Sequence, residues 1–147
     1  MDSEEARAVF TAERHAVLGT VTPAGAPHLV PVTFVVINDC VYIAVDHKPK
    51  RSTDLQRLRN IAAHPAVCLL AESYADDWSR LWWVRGDGTA RVAEFAELPT
   101  GLLPRFQAKY APYVAAPPAG PVIEVAVSRW SGWRMVTGSS QRPTSSS

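Results

Sequence analysis

The chain has few of the features that mark reactive, nucleic-acid-binding or membrane proteins. Its two cysteines, Cys40 and Cys68, lie in apolar runs without the CxxC spacing of metal or redox pairs. The formal net charge is only +1, so there is no overall field for nucleic acid or an anionic membrane. No apolar run approaches membrane-spanning length, and the opening MDSEEARAVF lacks the layout of a signal peptide. We therefore expect a soluble, cytoplasmic protein with reduced cysteines, without a nucleic-acid or membrane partner.

Sequence motifs of the common enzyme classes are also missing. None of the four histidines stands in a GxSxG or HExxH context, and there is no GxGxxG fingerprint or Walker P-loop. Histidines, cysteines and acids are scattered rather than grouped at metal-ligand spacings, so we expect no metal site. Asp76 and Asp77 are adjacent in a polar segment, which favours surface residues over a catalytic pair. The sequence therefore offers no catalytic side chain, and any reaction would depend on a bound cofactor.

The apolar pattern predicts one mainly β domain over residues 1–137, a β-barrel with flanking helices, and a disordered tail over residues 138–147. Three-residue and four-residue spacings predict helices at Ser3–Glu13, after the basic stretch described below, and over Phe95–Tyr110, broken at Pro99 and Pro104. Ala111–Gly120 reads as a rigid proline-rich loop. Pro31 indicates an edge strand or a bulge. The predicted strands are His15–Thr22, His28–Ile37, Cys40–Asp46, Ala66–Ala71, Leu81–Glu94 as a pair or one long bent strand, Pro121–Val127 and Trp130–Thr137.

The most informative stretch is His47–Asn60, HKPKRSTDLQRLRN, where an apolar strand gives way to a helix. A helix start exposes unpaired N–H groups and the positive end of the helix dipole. Basic and hydroxyl side chains grouped there would surround a phosphate with donors. The alternative is a solvated basic turn followed by an amphipathic helix. The residues that would form the anion site are Lys48, Lys50, Arg51, Ser52 and Thr53.

Tryptophans are concentrated in the second half of the chain. Trp82 and Trp83 are adjacent in a predicted strand, so their side chains point to opposite faces. One can fill the barrel, and the other can lie on its outer surface, at a dimer interface or against a flat ring. For each tryptophan a place in the core remains the alternative.

Five segments of the chain carry a family likeness when taken together. They are HAVLGTVTPAGAPHLVPVTFVV, DHKPKRS, RNIAAHPAVCLL, DDWSRLWWVRGDGTARV and VIEVAVSRWSGW. These segments resemble the FMN-binding split-barrel proteins related to pyridoxamine 5′-phosphate oxidase, and within that family they are most similar to the actinobacterial deazaflavin (coenzyme F-420)-dependent oxidoreductases. The resemblance extends from about Phe10 to about Val136.

This resemblance implies a six-stranded antiparallel split barrel that forms a homodimer with two equivalent cofactor sites at its interface. It implies that the cofactor phosphate is held by Lys50, Arg51, Ser52 and Thr53, with Lys48 and Arg57 nearby. The ring would lie along Pro31, Val32, Thr33 and Ile43–Val45. Trp78 and the Trp130–Trp133 segment would be candidates for reaching in from the second subunit.

The resemblance further implies a reductase that moves hydride from reduced coenzyme F-420 to a small unsaturated or conjugated substrate. The first alternative is an FMN-dependent enzyme of the pyridoxamine-phosphate oxidase type. The second is a non-catalytic flavin or deazaflavin carrier.

Overall fold

The computed structural model describes residues 1–45 and 53–136. The predicted tail, residues 138–147, lies outside them. No helix in the described part of the chain is both long and apolar enough to cross a membrane. In chain order the elements are α1 (Ser3–Thr11), β1 (Ala16–Val21), β2 (Pro27–Val32), β3 (Val35–Ile37), β4 (Cys40–Ala44), α2 (Thr53–Ala63), β5 (Ala66–Ser73), β6 (Trp82–Ala93), α3 (Leu102–Lys109), α4 (Pro112–Ala115) and β7 (Val122–Arg134), with short 3₁₀ helices at Trp78–Arg80 and Phe95–Glu97.

The described strands form one antiparallel sheet in the order β2-β1-β5-β6-β7-β4-β3. Its two edge strands, β2 and β3, are consecutive in the chain and are joined by Thr33 and Phe34 alone. The Cα atoms of Val32 and Val35 therefore lie at most about 11 Å apart. Because so short a connection links opposite edges, the sheet must curl until they meet. The prediction of a mainly β split barrel is confirmed.

The strand predicted at His28–Ile37 is two strands, β2 and β3, and the described sheet has seven strands where the resemblance implies six. The apolar pattern of the sequence does not show this break, because Phe34, within the connection, is buried like Val32 and Val35. Pro31 lies on β2, an edge strand, as its missing N–H predicts.

The segments predicted as Pro121–Val127 and Trp130–Thr137 are one strand, β7, rather than two. A register shift opposite Asp87 and Gly88 leaves Ser128 as an extra residue, so a bulge interrupts the alternation without ending the strand. β6 is a single long strand, one of the two predicted forms. A Cβ at Gly88 would lie 2.3 Å from the Ala126 carbonyl oxygen, so only glycine allows this approach of the two strands.

Helix α1 closes one opening of the barrel, as its apolar spacing predicts. The Asp2 side chain caps it by accepting a hydrogen bond of 2.8 Å from the Glu5 N–H. Phe10 is fully buried, with its ring centroid 4.5 Å from that of Phe34 and 5.2 Å from that of Trp130. Trp130 therefore belongs to the core of its own chain. In the segment expected to reach a second subunit, Trp133 is the exposed tryptophan.

A second apolar cluster lies where α3 packs against β3, β4 and the start of β7. The chain breaks between the 3₁₀ helix and α3 at Pro99, as predicted. Pro104 does not break α3, because it lies in the first turn, where a missing N–H leaves no hydrogen bond unmade. The segment predicted as a proline-rich loop contains the one-turn helix α4, with Pro112 at its first position.

Candidate cofactor and ligand site

Helix α2 begins at Thr53, the last of the predicted anion-binding residues. Lys48, Lys50, Arg51 and Ser52 lie outside the described residues. The helix has eleven residues, and in the sequence its start follows a run of lysine, arginine and serine. A helix start offers N–H groups and the positive end of the helix dipole to an anion. The donor chemistry at this position fits a phosphate.

A buried amide fixes α2 on the barrel. Asn60 is fully buried, and its Nδ2 donates a hydrogen bond of 3.0 Å to Oγ1 of Thr20 on β1. Its Oδ1 accepts from Nε2 of Gln56, one turn earlier, at 2.6 Å. Arg57, expected near the phosphate, is only 8% exposed and packs into the protein. Asn60 therefore ties α2 to β1 through polar contacts, while the apolar Leu58 and Ile61 pack against the barrel core.

The residues expected along the cofactor ring have different environments. The side chains of Val32, Ile43 and Val45 lie in the barrel core, so at these positions only backbone groups can face a ligand. Pro31 is exposed on the outer face of β2. Thr33 is half-buried, and its Oγ1 lies 2.7 Å from the Tyr113 hydroxyl.

A second tyrosine holds the connection between β2 and β3. The Phe34 N–H donates to the Tyr110 hydroxyl at 3.0 Å. That hydroxyl can in turn donate to the carbonyl oxygen of Arg14 at 2.8 Å or of Phe34 at 3.0 Å. Sequence reasoning missed both tyrosines. Their three-residue spacing was the available signal, since it places side chains on one helical face, but the turn between α3 and α4 obscures it.

We expect Tyr110→Phe to lower the free energy of unfolding by about 2–3 kcal/mol, because it leaves buried backbone groups at Phe34 without a partner. Urea denaturation measures the change. Tyr74→Phe is the matched control, because Tyr74 is 72% exposed and its hydroxyl has no such role. Equal stabilities for the two variants would contradict this function of Tyr110.

Lys109 lies beside the same connection, with its Nζ 3.8 Å from the centroid of the Phe34 ring. Burial and the neighbouring Arg14 guanidinium lower the pKa of Lys109 to about 8, against the opposing effect of Glu13. The Phe34 ring contacts the ammonium group, whereas burial and the Arg14 guanidinium disfavour its charged form.

This lowered pKa predicts a pH-dependent stability. The unfolded chain, in which lysine has a pKa of about 10.4, binds more protons than the folded chain above pH 8. The contribution of Lys109 to stability should therefore rise between about pH 8 and pH 10.4. The rise should amount to about 1 kcal/mol in the free energy of unfolding, because solvent partly screens the charge. Lys109→Met should lack this rise. Denaturation of both proteins at several pH values measures it, and parallel curves would contradict the lowered pKa.

Trp78 lies on the 3₁₀ helix between β5 and β6 and is 61% exposed. The preceding Asp77 caps that helix, accepting from the Ser79 hydroxyl at 2.7 Å and from the Ser79 N–H at 3.1 Å. These bonds lower the pKa of Asp77. Asp77 therefore has a structural role, as the surface interpretation predicts. Trp82 packs against the core, and the neighbouring Trp83 points to the other face.

The described residues contain no group of three histidine, cysteine or acidic side chains that could hold a metal ion. Cys68 points to the outer face of β5, where burial and the nearby Asp87 raise the pKa of its thiol. A raised pKa keeps the thiol protonated and a poor nucleophile.

The curled antiparallel sheet and the helices packed against it define a split-barrel protein. A family model described as pyridoxamine 5′-phosphate oxidase matches residues 2–134. The chain therefore belongs to the pyridoxamine 5′-phosphate oxidase family. No curated protein matches it in sequence.

Several solved structures share the fold. A conserved hypothetical protein from Mycobacterium tuberculosis has a TM-score of 0.72 and 22% identity, over 92% of this chain and 86% of that one. A protein described as an F420 reductase has a TM-score of 0.63 and 20% identity, over 85% of this chain and 94% of that one. An FAD-binding protein from Mesorhizobium loti has a TM-score of 0.63 and 17% identity, over 90% and 94% of the two chains. At such identities the likeness concerns the fold.

Proposed function

We propose that this protein is a coenzyme F-420-dependent oxidoreductase that transfers hydride from the reduced deazaflavin to a small unsaturated or conjugated substrate. The observation that carries the proposal is the position of α2, whose first turn directly follows the basic stretch. Membership in the pyridoxamine 5′-phosphate oxidase family supports a flavin-type cofactor. The shared fold with an F420 reductase and the resemblance of the basic segment support the deazaflavin.

The bound deazaflavin would supply a two-electron hydride. Lys48, Lys50, Arg51, Ser52 and Thr53 would hold its phosphate, with the charge-assisted hydrogen bonds that such groups form. Exposed Pro31 and the backbone of Val32 would provide a flat surface for the ring. The chain would then act mainly by holding donor and acceptor in contact distance.

FMN is the alternative cofactor, because the matching family is that of an FMN-dependent oxidase. It has a similar ring and also carries a phosphate, so the same donors suit it. A non-catalytic carrier is the remaining alternative.

Titration of the purified protein with FMN and with coenzyme F-420, followed by absorption, tests the cofactor. We expect tighter binding of the deazaflavin, and oxidation of its reduced form when an enone is added. Preference for FMN, with turnover of reduced FMN, would favour the alternative enzyme. Tight binding of reduced coenzyme F-420 without oxidation by any acceptor would favour a carrier.

A homodimer belongs to the same proposal. The outer face of β1, β2 and β5 presents apolar side chains to solvent, with Leu29 71% and Leu70 38% exposed. Val17 lies between them, paired with Pro31 on one side and Leu70 on the other. A continuous apolar patch on an antiparallel sheet suits a two-fold interface between copies of the chain.

We expect light scattering at micromolar concentration to give a dimer, and Leu70→Arg to give a monomer, because a charge would be buried at the interface without a partner. Val114→Arg is the control, since Val114 is 63% exposed on α4 rather than on the sheet. A wild-type monomer, or dissociation of both variants alike, would contradict this interface.

A further inference from the structure

Two side-chain hydroxyls meet at the connection that closes the barrel. Thr33 Oγ1 lies 2.7 Å from the Tyr113 hydroxyl, within hydrogen-bond distance. Both residues are half-buried, so the pair is partly shielded from water without being sealed in the core. Thr33 directly follows Pro31 and Val32, which are assigned to the cofactor ring above.

The direction of this hydrogen bond follows from the acidity of the two groups. A phenol has a pKa of about 10, well below that of an aliphatic alcohol, so the Tyr113 O–H is the stronger donor. Its donation to Thr33 leaves the Thr33 O–H free to donate to a ligand. Hydrogen bonds in a chain polarise one another, which strengthens the outer donor.

Tyr113 is held firmly in this position. Its ring packs edge-on against Phe106 at 6.0 Å and Tyr110 at 5.6 Å between centroids. Its carbonyl oxygen accepts a hydrogen bond of 3.2 Å from Nε2 of Gln107. A donor fixed before the ligand arrives loses little entropy when it binds.

The neighbouring polar groups have other partners. The Tyr110 hydroxyl is surrounded by the backbone groups of Arg14 and Phe34. The Lys109 ammonium lies on the Phe34 ring. Of the three hydroxyl groups around this connection, Tyr110 is enclosed by backbone partners and Tyr113 donates to Thr33, so the Thr33 hydroxyl is the one whose proton is left for a ligand.

On the basis of the hydride transfer proposed above, we propose that Thr33 is a catalytic hydroxyl that protonates a carbonyl-conjugated acceptor, such as an enone, and that Tyr113 is its positioning residue. The deazaflavin, when bound, would supply the hydride that adds to the β-carbon of the enone. The C=C π electrons shift to the carbonyl oxygen, which takes the Thr33 proton. Thr33 regains a proton from Tyr113, and Tyr113 regains one from water. The acceptor gains one hydride and one proton in total.

The test compares two acceptors. Cyclohex-2-enone requires a proton after hydride addition, whereas the N-methylphenazinium cation becomes neutral on accepting hydride and requires none. With the enone, Thr33→Val and Tyr113→Phe should lower kcat at least tenfold, because a general acid contributes roughly 10²–10⁴-fold. Thr33→Ser, which keeps the hydroxyl, should retain most of the activity. With the phenazinium cation, which needs no proton, Thr33→Val and Tyr113→Phe should lose much less activity than they lose with the enone.

Binding without turnover provides an independent measurement. The 4-nitrophenolate anion resembles the oxygen anion that receives the proton, and its absorption reports its environment. Its Kd should rise about tenfold in Thr33→Val and stay unchanged in Thr33→Ser, because the lost hydrogen bond is to a charged group. Melting temperatures of the variants check that each is folded at the assay temperature.

Equal losses with both acceptors would overturn the proposal, since they would show that the hydroxyl pair only maintains the site. Unchanged enone turnover in both Thr33→Val and Tyr113→Phe, or equal 4-nitrophenolate binding by Thr33→Val and wild type, would also overturn it. In those cases the wild-type turnover leaves the proposed hydride transfer standing. A wild type that reduces neither acceptor would instead refute the proposed function, and this role of Thr33 with it.

Discussion

Replacing Lys50 and Arg51 together by alanine should weaken cofactor binding at least tenfold. Each charge-assisted hydrogen bond to a phosphate contributes about 1.5–3 kcal/mol, and every 1.4 kcal/mol is about a factor of ten in Kd. The free energy of unfolding should change little, because the two side chains lie in a basic, polar stretch of the sequence. Isothermal titration of wild type and the double variant with coenzyme F-420 and with FMN measures the loss.

Titration with the phosphate-free forms of both cofactors shows whether the loss of affinity comes from the phosphate. Their affinity should be the same in wild type and variant, because the lost donors would have no partner on them. The control is Arg105→Ala with Arg129→Ala, which removes two exposed positive charges from α3 and β7. If Lys50→Ala with Arg51→Ala bound both phosphorylated cofactors as tightly as wild type, the basic stretch would be a solvated turn, and the main support for a phosphorylated cofactor would be lost.

Local patterns were sufficient to predict most individual elements. The spacing of Ala6 and Phe10 predicts a helix with one buried face, and both side chains are fully buried in α1. Alternation in β1 places Ala16 and Leu18 inward and Val17 outward, as period two requires. These elements were predictable because each buries one face, and a buried face leaves a regular apolar spacing in the local sequence.

Elements whose form depends on distant parts of the chain were not predictable in the same way. The break at Thr33 and Phe34 is invisible in the sequence because the chain is apolar on both sides of it. Only the return of β3 to the far edge of the sheet requires a bend there. The bulge at Ser128 likewise arises from pairing with β6, a strand some forty residues earlier. Non-local pairing, rather than local preference, decides both features.

The candidate site follows the same division. The helix start at Thr53 was predictable, since a basic and hydroxyl-rich stretch precedes a run with helical spacing. The pairing of Thr33 with Tyr113 was not, because eighty residues separate them and α4 lies in a segment whose prolines predict a loop. Side chains that meet across a fold carry no mark in the sequence. The resemblance places Thr33 at the cofactor ring, but the hydroxyl partner of Thr33 is visible only in the fold.

Phe10→Ala should destabilise the fold by about 3–5 kcal/mol, the usual cost of removing a fully buried phenylalanine ring. Phe10 is fully buried, and its ring contacts those of Phe34 and Trp130. Urea denaturation measures the loss. Tyr74→Ala is the matched control, because it removes an aromatic ring that is 72% exposed and should change stability by less than about 1 kcal/mol.

The same substitution also tests whether α1 supports the ligand site. Phe10 packs on Phe34, which directly follows Thr33. The backbone of Phe34 is hydrogen-bonded to the Tyr110 hydroxyl. A cavity beneath Phe34 should let this connection move and weaken the fixed arrangement of Thr33 and Tyr113. At a temperature where the variant is still folded, 4-nitrophenolate should therefore bind Phe10→Ala less tightly than it binds Tyr74→Ala. Equal affinities, together with the expected loss of stability, would show that Tyr110 and Tyr113 hold the connection in place without support from α1.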